Sequence, residues 1–116
     1  MKKSKHSILR IYASSTDRYG SKLVYQQILE MARERGISGA TVFRGIMGYG
    51  SSSKISSSRF WELTEKLPIL IELIDDTEQL ETFYTRIEGL LLEMPKGCLV
   101  VMEPVSVLLH KKGKKE

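Results

Sequence analysis

The residues of this chain best suited to chemistry are glycines and hydroxyls. They run as Gly36-Ile37-Ser38-Gly39-Ala40-Thr41-Val42, then Gly48-Tyr49-Gly50, then Ser51-Ser52-Ser53-Lys54-Ile55-Ser56-Ser57-Ser58. Glycine lets backbone amides come close to a ligand, and successive amides form concavities that hold anions. Glycines at strand ends beside a long polar arm predict a phosphate or nucleotide cradle next to a recognition loop, which is binding rather than bond-making. With six serines between Ser51 and Ser58, the arm has too little apolar surface to offset its ordering entropy and is expected to be mobile.

Catalytic groups are sparse. His6 and His110 stand near the two ends with no acid, base or cysteine arranged around them, so no metal site and no nucleophile and base pair is visible. The single Cys98 has no internal disulfide partner, and in Cys98-Leu99-Val100-Val101-Met102 it reads as a small buried hydrophobe at the start of a strand. No run is long and apolar enough for a membrane span, and Met1-Lys2-Lys3-Ser4-Lys5-His6 does not lead into a signal-peptide core, which predicts a cytoplasmic protein.

The chain has 116 residues, 41% of them hydrophobic, as expected of one domain with one core over residues 1–116. Its net charge of +4 belongs to the ends: Lys2, Lys3, Lys5, Lys111, Lys112, Lys114 and Lys115, less Glu116, hold +6 and leave residues 7–110 at −2. A folded body at 7–110 that is slightly acidic, with a solvated basic tail at 111–116, does not predict a nucleic-acid partner.

The elements that must position the glycines can be read from period. Ile8 to Ala13 alternates, with Leu9, Ile11 and Ala13 on one side and Ile8, Arg10 and Tyr12 on the other, as a strand does. Lys22 to Arg35 spaces Val24, Ile28, Met31 and Ala32 as a helix, with Ser21 as its cap and Gly36 as its left-handed stop. Ala40 to Met47 reads as a second strand with a bulge at Arg44-Gly45, and 48–60 as the long loop, after which Phe60 and Trp61 act as packing anchors. Pro68 to Ile74 is a buried strand whose only charge is Glu72. A second helix follows, with Asp76 and Gln79 as a capping box, Leu80, Phe83, Ile87, Leu91 and Met94 as its core face, and Pro95 as its stop. Strands over Cys98–Glu103 and Val105–Leu109, divided by Pro104, complete the chain.

This order predicts an α+β, ferredoxin-like βαββαβ fold with an extra C-terminal strand: an antiparallel sheet with two helices on one face. Two helices cover only one face, yet the strands offer apolar residues to both, so the open face is expected to be covered by self-association. Arg10 and Arg44, if both stand on that open face, fit a charge-assisted role in a subunit cleft. An RNA-binding ferredoxin-like module is an alternative, with only Tyr12 and Phe43 as strand aromatics for stacking. An acylphosphatase-like enzyme shares the arrangement of elements, but it needs an asparagine to orient water and this sequence contains none.

Leu67-Pro68-Ile69-Leu70-Ile71-Glu72, the Lys96-Gly97 turn and the glycine segments together resemble the PII nitrogen-regulatory signalling superfamily. Leu9-Arg10-Ile11-Tyr12, Asp17-Arg18-Tyr19 and Tyr49-Gly50-Ser51-Ser52-Ser53-Lys54-Ile55 are similar to its uncharacterised PII-like branch, and the resemblance covers nearly the whole chain. It implies a non-enzymatic homotrimer that binds an adenine nucleotide in clefts between subunits and regulates a partner, a membrane transport protein, through the long loop. Gly39, Ala40 and Thr41 would lie at the adenine and ribose end with Glu72 nearby. Gly48, Tyr49, Gly50 and Ser51 would form the base of the loop, Gly97 the phosphate turn, and Lys111 a basic group reaching from a neighbour. Ser51 and Ser52, Cys98 and Leu109 stand where PII proteins carry a basic residue and a glutamine, a lysine and an arginine. ADP or AMP is therefore favoured over ATP, with no metal required, because each lost charge-assisted contact removes about 1.5–3 kcal/mol.

Overall fold

The computed structural model describes residues 5–50, 56–57 and 67–114. Its elements are β1 (His6–Ser14), β2 (Arg18–Tyr19), β3 (Lys22–Leu23), α1 (Val24–Glu34), β4 (Gly39–Arg44), β5 (Met47–Gly48), β6 (Ser56–Ser57), β7 (Pro68–Asp76), α2 (Thr77–Glu93) and β8 (Leu99–Val105). The main sheet has the order β4-β7-β1-β8, antiparallel throughout. With the two small hairpins β2-β3 and β5-β6 set aside, this is the expected ferredoxin-like βαββαβ arrangement.

Because side chains alternate across a strand, register decides what each face carries. Leu9 pairs with Leu73 and Met102, and Ile11 pairs with Ile71 and Val100, so all six point to the same side. That side receives Val24, Ile28 and Ala32 from α1 and Leu80, Phe83, Ile87 and Leu91 from α2, forming the buried core with Leu9, Ile11, Ile69, Ile71 and Leu73. No helix among the described residues is long and apolar enough to cross a membrane.

The element ends differ from the sequence reading at several points. α1 begins at Val24 because Lys22 and Leu23 pair with Tyr19 and Arg18 around Gly20, whose φ is 68°. Its N-cap is Leu23 without a side-chain bond, so Ser21 does not cap it. Instead the Val24 N–H donates to the Asp17 carbonyl at 2.8 Å. The C-terminus follows expectation: Gly36 has φ 77°, and the Ile37 N–H returns to the Ala32 carbonyl at 3.0 Å. α2 starts after Asp76, but no side-chain capping bond forms there. The Asp76 carboxylate is turned to His6 Nε2 at 3.2 Å, and the Thr77 N–H donates to the Lys5 carbonyl at 2.7 Å.

At the C-terminal end, β8 runs unbroken through Pro104, where the sequence suggested a strand on each side of that proline. β8 pairs only with β1, and an edge strand tolerates a missing N–H on its free side. Residues 106–110 form no strand, and Leu108 within them is 95% exposed. Cys98 precedes β8 and is exposed, which corrects its reading as a buried strand residue.

β4 ends at Arg44 rather than continuing to Met47. There the Gly45 N–H donates to the Pro68 carbonyl at 2.7 Å, and a Cβ at Gly45 would lie 2.8 Å from the Pro68 ring. Gly48 is nearly as close, at 3.3 Å. The break therefore depends on two glycines folded against one proline, and the chain leaves as β5, paired with β6. Phe60, Trp61 and most of the serine arm lie outside the described residues. Gly45→Ala is expected to lower stability by about 1–3 kcal/mol through this overlap, without altering the core. Urea denaturation should read the loss, with Gly89→Ala in α2, where nothing lies within 4 Å, as the control expected to gain about 1 kcal/mol from helix propensity instead.

Candidate functional site

The sheet face turned away from the helices is built by the opposite parity. One row across it is Thr41, Glu72, Arg10 and Val101, and the next is Phe43, Leu70, Tyr12 and Leu99. Ile8, Ile74 and Glu103 form a third row. Phe43 is 47% exposed and Leu99 58%, so the second row is an uncovered aromatic and aliphatic band. Beside it Arg10 Nε donates to Glu72 Oε2 at 3.2 Å, and Nη1 donates to Glu103 Oε1. The bond to Glu103 is the main influence holding the guanidinium above its already high ordinary value; desolvation opposes it and Glu72 adds to it. Arg10 thus straps β7 and β8 across β1, and its charge is already engaged by two carboxylates.

Of the sequence-derived candidates, Arg10, Thr41 and Glu72 meet in this row. Gly39 sits two positions away, opposite Ile74, and a Cβ there would meet nothing nearer than a carbonyl oxygen at 3.9 Å. Ala40 is exposed and points to the helix side of the edge strand, opposite Leu73. Arg44 is opposite Ile69 and shares the parity of Ala40 and Val42, so the two arginines do not share the open face. The register of the sheet turns Arg10 on β1 and Arg44 on β4 to opposite sides.

Gly48, Tyr49, Gly50 and Gly97 gather at the other end of the sheet from Gly39. Pro68 pairs with Ser14, which places Gly48, packed on Pro68, at the C-terminal end of β1. Tyr49 follows it, 75% exposed, and Gly50 closes this described stretch. Leu99 pairs with Tyr12, so the turn holding Gly97 and Cys98 lies at that same end. Nothing lies within 4 Å of a Cβ at Gly97. Lys111 is exposed in the segment after β8, and Ser51 lies outside the described residues.

Three further residues were not among the candidates: Asp17 and Ser15 shape this end, and Glu103 lies toward the Gly39 end. Asp17 is buried, at 3% exposure; its Oδ2 accepts the Ser14 N–H at 2.9 Å, while Oδ1 has no partner among the described residues. Ser15 fixes the entry to β7, exchanging backbone and hydroxyl bonds with Leu67 at 2.8 and 3.0 Å. Glu103 completes the Arg10 cluster. The signal for Glu103 was its even spacing from Val101 on an alternating strand; a run of short polar residues gave none for Asp17. No group of three or more His, Cys, Asp or Glu among the described residues is placed to hold a metal.

The architecture places the chain among PII-like folds. CPII, a nitrogen regulatory PII-like protein from Thiomonas intermedia K12 whose structure contains ADP, AMP and bicarbonate, superposes with a TM-score of 0.61 at 13% identity, over 86% of this chain and 87% of that one. By sequence, the chain belongs to the DUF190 family (Uncharacterized ACR, COG1993), which it matches over residues 6–107. A UPF0166 protein of Aquifex aeolicus is 36% identical over 108 residues, covering 93% of this chain and 98% of that protein. A UPF0166 protein of Methanocaldococcus jannaschii is 37% identical over 76 residues, 66% of this chain and 69% of its own length.

The Cys98 thiol is pushed above its ordinary value first by desolvation and then by the nearby Asp17 carboxylate. Since the thiolate is the reactive form, alkylation by iodoacetamide is expected to be slow at neutral pH. Asp17→Asn keeps an acceptor for the Ser14 N–H and removes the negative charge, so the titration midpoint should move down while remaining raised by desolvation. An unchanged midpoint would dissociate Asp17 from the turn.

Proposed function

We propose that this protein is a PII-like signalling protein, one domain working in the cytoplasm, that acts by binding and not by turnover. In this reading it is a homotrimer whose subunit clefts take an adenine nucleotide, and the occupied site sets the exit of the long loop, which engages a partner such as a membrane transport protein. The observation that carries the reading is the pair Gly39 and Gly97. Neither has a left-handed backbone, and a Cβ at either would meet no close neighbour within the chain. Glycine within a strand costs about 0.5–1 kcal/mol relative to alanine, so its use at Gly39 in β4 is best explained by something outside the chain that must approach closely, and the open turn at Gly97 leaves room for the same approach. ADP and AMP in the structure of CPII give that something a chemical class.

A subunit cleft also accounts for why the candidates spread to both ends of the sheet: one chain would supply Gly39, Ala40, Thr41 and Glu72, and another the loop base, Gly97 or Lys111. The uncovered band of Tyr12, Phe43, Leu70 and Leu99 supports the association that such a cleft needs. It suits RNA poorly, since the one arginine that the described residues place on it is held by Glu72 and Glu103. Few phosphates fit the charge at the turn, where Cys98 is exposed and Asp17 adds a buried carboxylate. This favours ADP or AMP over ATP.

Titration calorimetry with AMP, ADP and ATP tests the reading. ADP or AMP is expected to bind below millimolar and more tightly than ATP. Gly97→Val should leave the melting temperature unchanged and weaken ADP by about tenfold or more, equivalent to about 1.4 kcal/mol. No binding of any of the three below millimolar would remove the nucleotide from the mechanism and leave a protein-binding module.

A further inference from the structure

The two tails of the chain leave the sheet side by side. β1 begins at His6, which pairs with Val105, the last residue of β8, so Lys5 and the segment from Ser106 onward depart from one end of adjacent strands. Lys2 and Lys3 precede Lys5 in sequence, and Lys111, Lys112, Lys114 and Lys115 belong to the other tail. Lys5, Lys111, Lys112 and Lys114 are exposed, and no carboxylate among the described residues pairs with any of them. Acids at that end of the sheet are already engaged: Asp75 accepts the Ser38 N–H at 2.9 Å, Asp76 faces His6, and Glu103 holds Arg10. Between β8 and the lysines stand Val107, Leu108 and Leu109, 41%, 95% and 81% exposed, in a stretch that is neither helix nor strand. An apolar run without packing is thus flanked by lysines without partners.

We propose that these tails dock the protein on an anionic lipid surface, with the lysines at the headgroups and Leu108 and Leu109 entering the boundary beneath them. Each lysine near such a surface adds about fivefold in affinity, and inserted apolar side chains add to it. A nucleic acid would meet the same charge, but neither tail contains the Arg, Phe, Tyr or Trp that reads base edges or stacks on them, and it would leave both leucines in water. Lys111 is set apart here, because the proposed nucleotide cleft would use it. The inference goes beyond the nucleotide reading and does not depend on it. The loop base stands at the far end of β1, about 27 Å away at about 3.4 Å per residue. A chain docked by its tails therefore keeps the loop and the Gly97 turn free, and would meet a membrane protein through the part that stands clear of the bilayer.

Co-sedimentation of the full chain with vesicles tests this, comparing phosphatidylcholine alone with phosphatidylcholine containing about one-third phosphatidylserine. Binding is expected to be about tenfold or more tighter on the anionic vesicles at about 0.1 M salt, and to fall about tenfold at about 0.5 M, where exposed charges are screened. The triple variant Lys112→Gln, Lys114→Gln, Lys115→Gln should keep the melting temperature and lose about tenfold or more of the anionic binding. Leu108→Ser with Leu109→Ser keeps every charge and should still weaken it several-fold; binding equal to the wild type overturns the apolar contact. A single-stranded RNA oligonucleotide bound as tightly as the anionic vesicles overturns the assignment to lipid, and equal binding to both kinds of vesicle overturns the docking site. None of these measurements contains nucleotide, so a chain that binds the vesicles but no ADP overturns only the nucleotide reading.

Discussion

Four long strands and two helices cannot enclose both faces of a sheet, and everything distinctive in this protein follows from which face is left open. α1 and α2 take the side of Leu9, Ile11, Ile71 and Leu73, where apolar area removed from water contributes about 25 cal/mol per Å². The other side keeps Tyr12, Phe43, Leu70 and Leu99 in contact with solvent. The same strands that build the core therefore also build an uncovered apolar face. Any account of function has to say what meets that surface, and where the loop and turn at one end of the sheet lie relative to it.

The open face and the glycine-rich ends serve one another. Arg10 on β1 braces β7 on one side and the edge strand β8 on the other, and Thr41 and Glu72 continue its row toward the opposite edge where Gly39 stands. At the opposite end Pro68 anchors the loop base through Gly45 and Gly48, one strand away from the turn of Gly97. A ligand held between the Gly39 edge of one copy and the Gly97 end of another would touch the positions that set the loop's departure. That is the physical content of the proposed signalling role.

Alternation made the sheet legible in the sequence: Ile8 to Ala13 and Pro68 to Ile74 announce both their strands and their faces, and the period of Leu80, Phe83, Ile87 and Leu91 announces α2. What stayed hidden was set by contacts distant in sequence. The β2-β3 hairpin has only two residues per strand, too few for a period, so Lys22 and Leu23 read as helix. Ser21 and Asp76 have the residue types of caps, but the backbone of Asp17 and the side chain of His6 take their places. Arg44 has the right chemistry on the wrong parity, because the strand counts from Gly39. Cys98 lies one residue outside a strand whose start Pro95 and Gly97 left ambiguous. The site was legible as residue types, and its row of Thr41, Glu72 and Arg10 emerged only from register.

The position of β1 at the centre of the sheet governs how the chain can come to be folded. Its two neighbours arrive late: Arg10 lies opposite Glu72 on one side and opposite Val101 on the other. Neither pairing is local, so closing the sheet means closing very long loops, a topology that folds slowly compared with one built on hairpins. During synthesis the first strand leaves the ribosome with an apolar side for each face and must wait for the last one. Until β8 has emerged, both edges of β1 cannot be paired at once, and the nascent protein carries an open strand edge that its finished sheet closes.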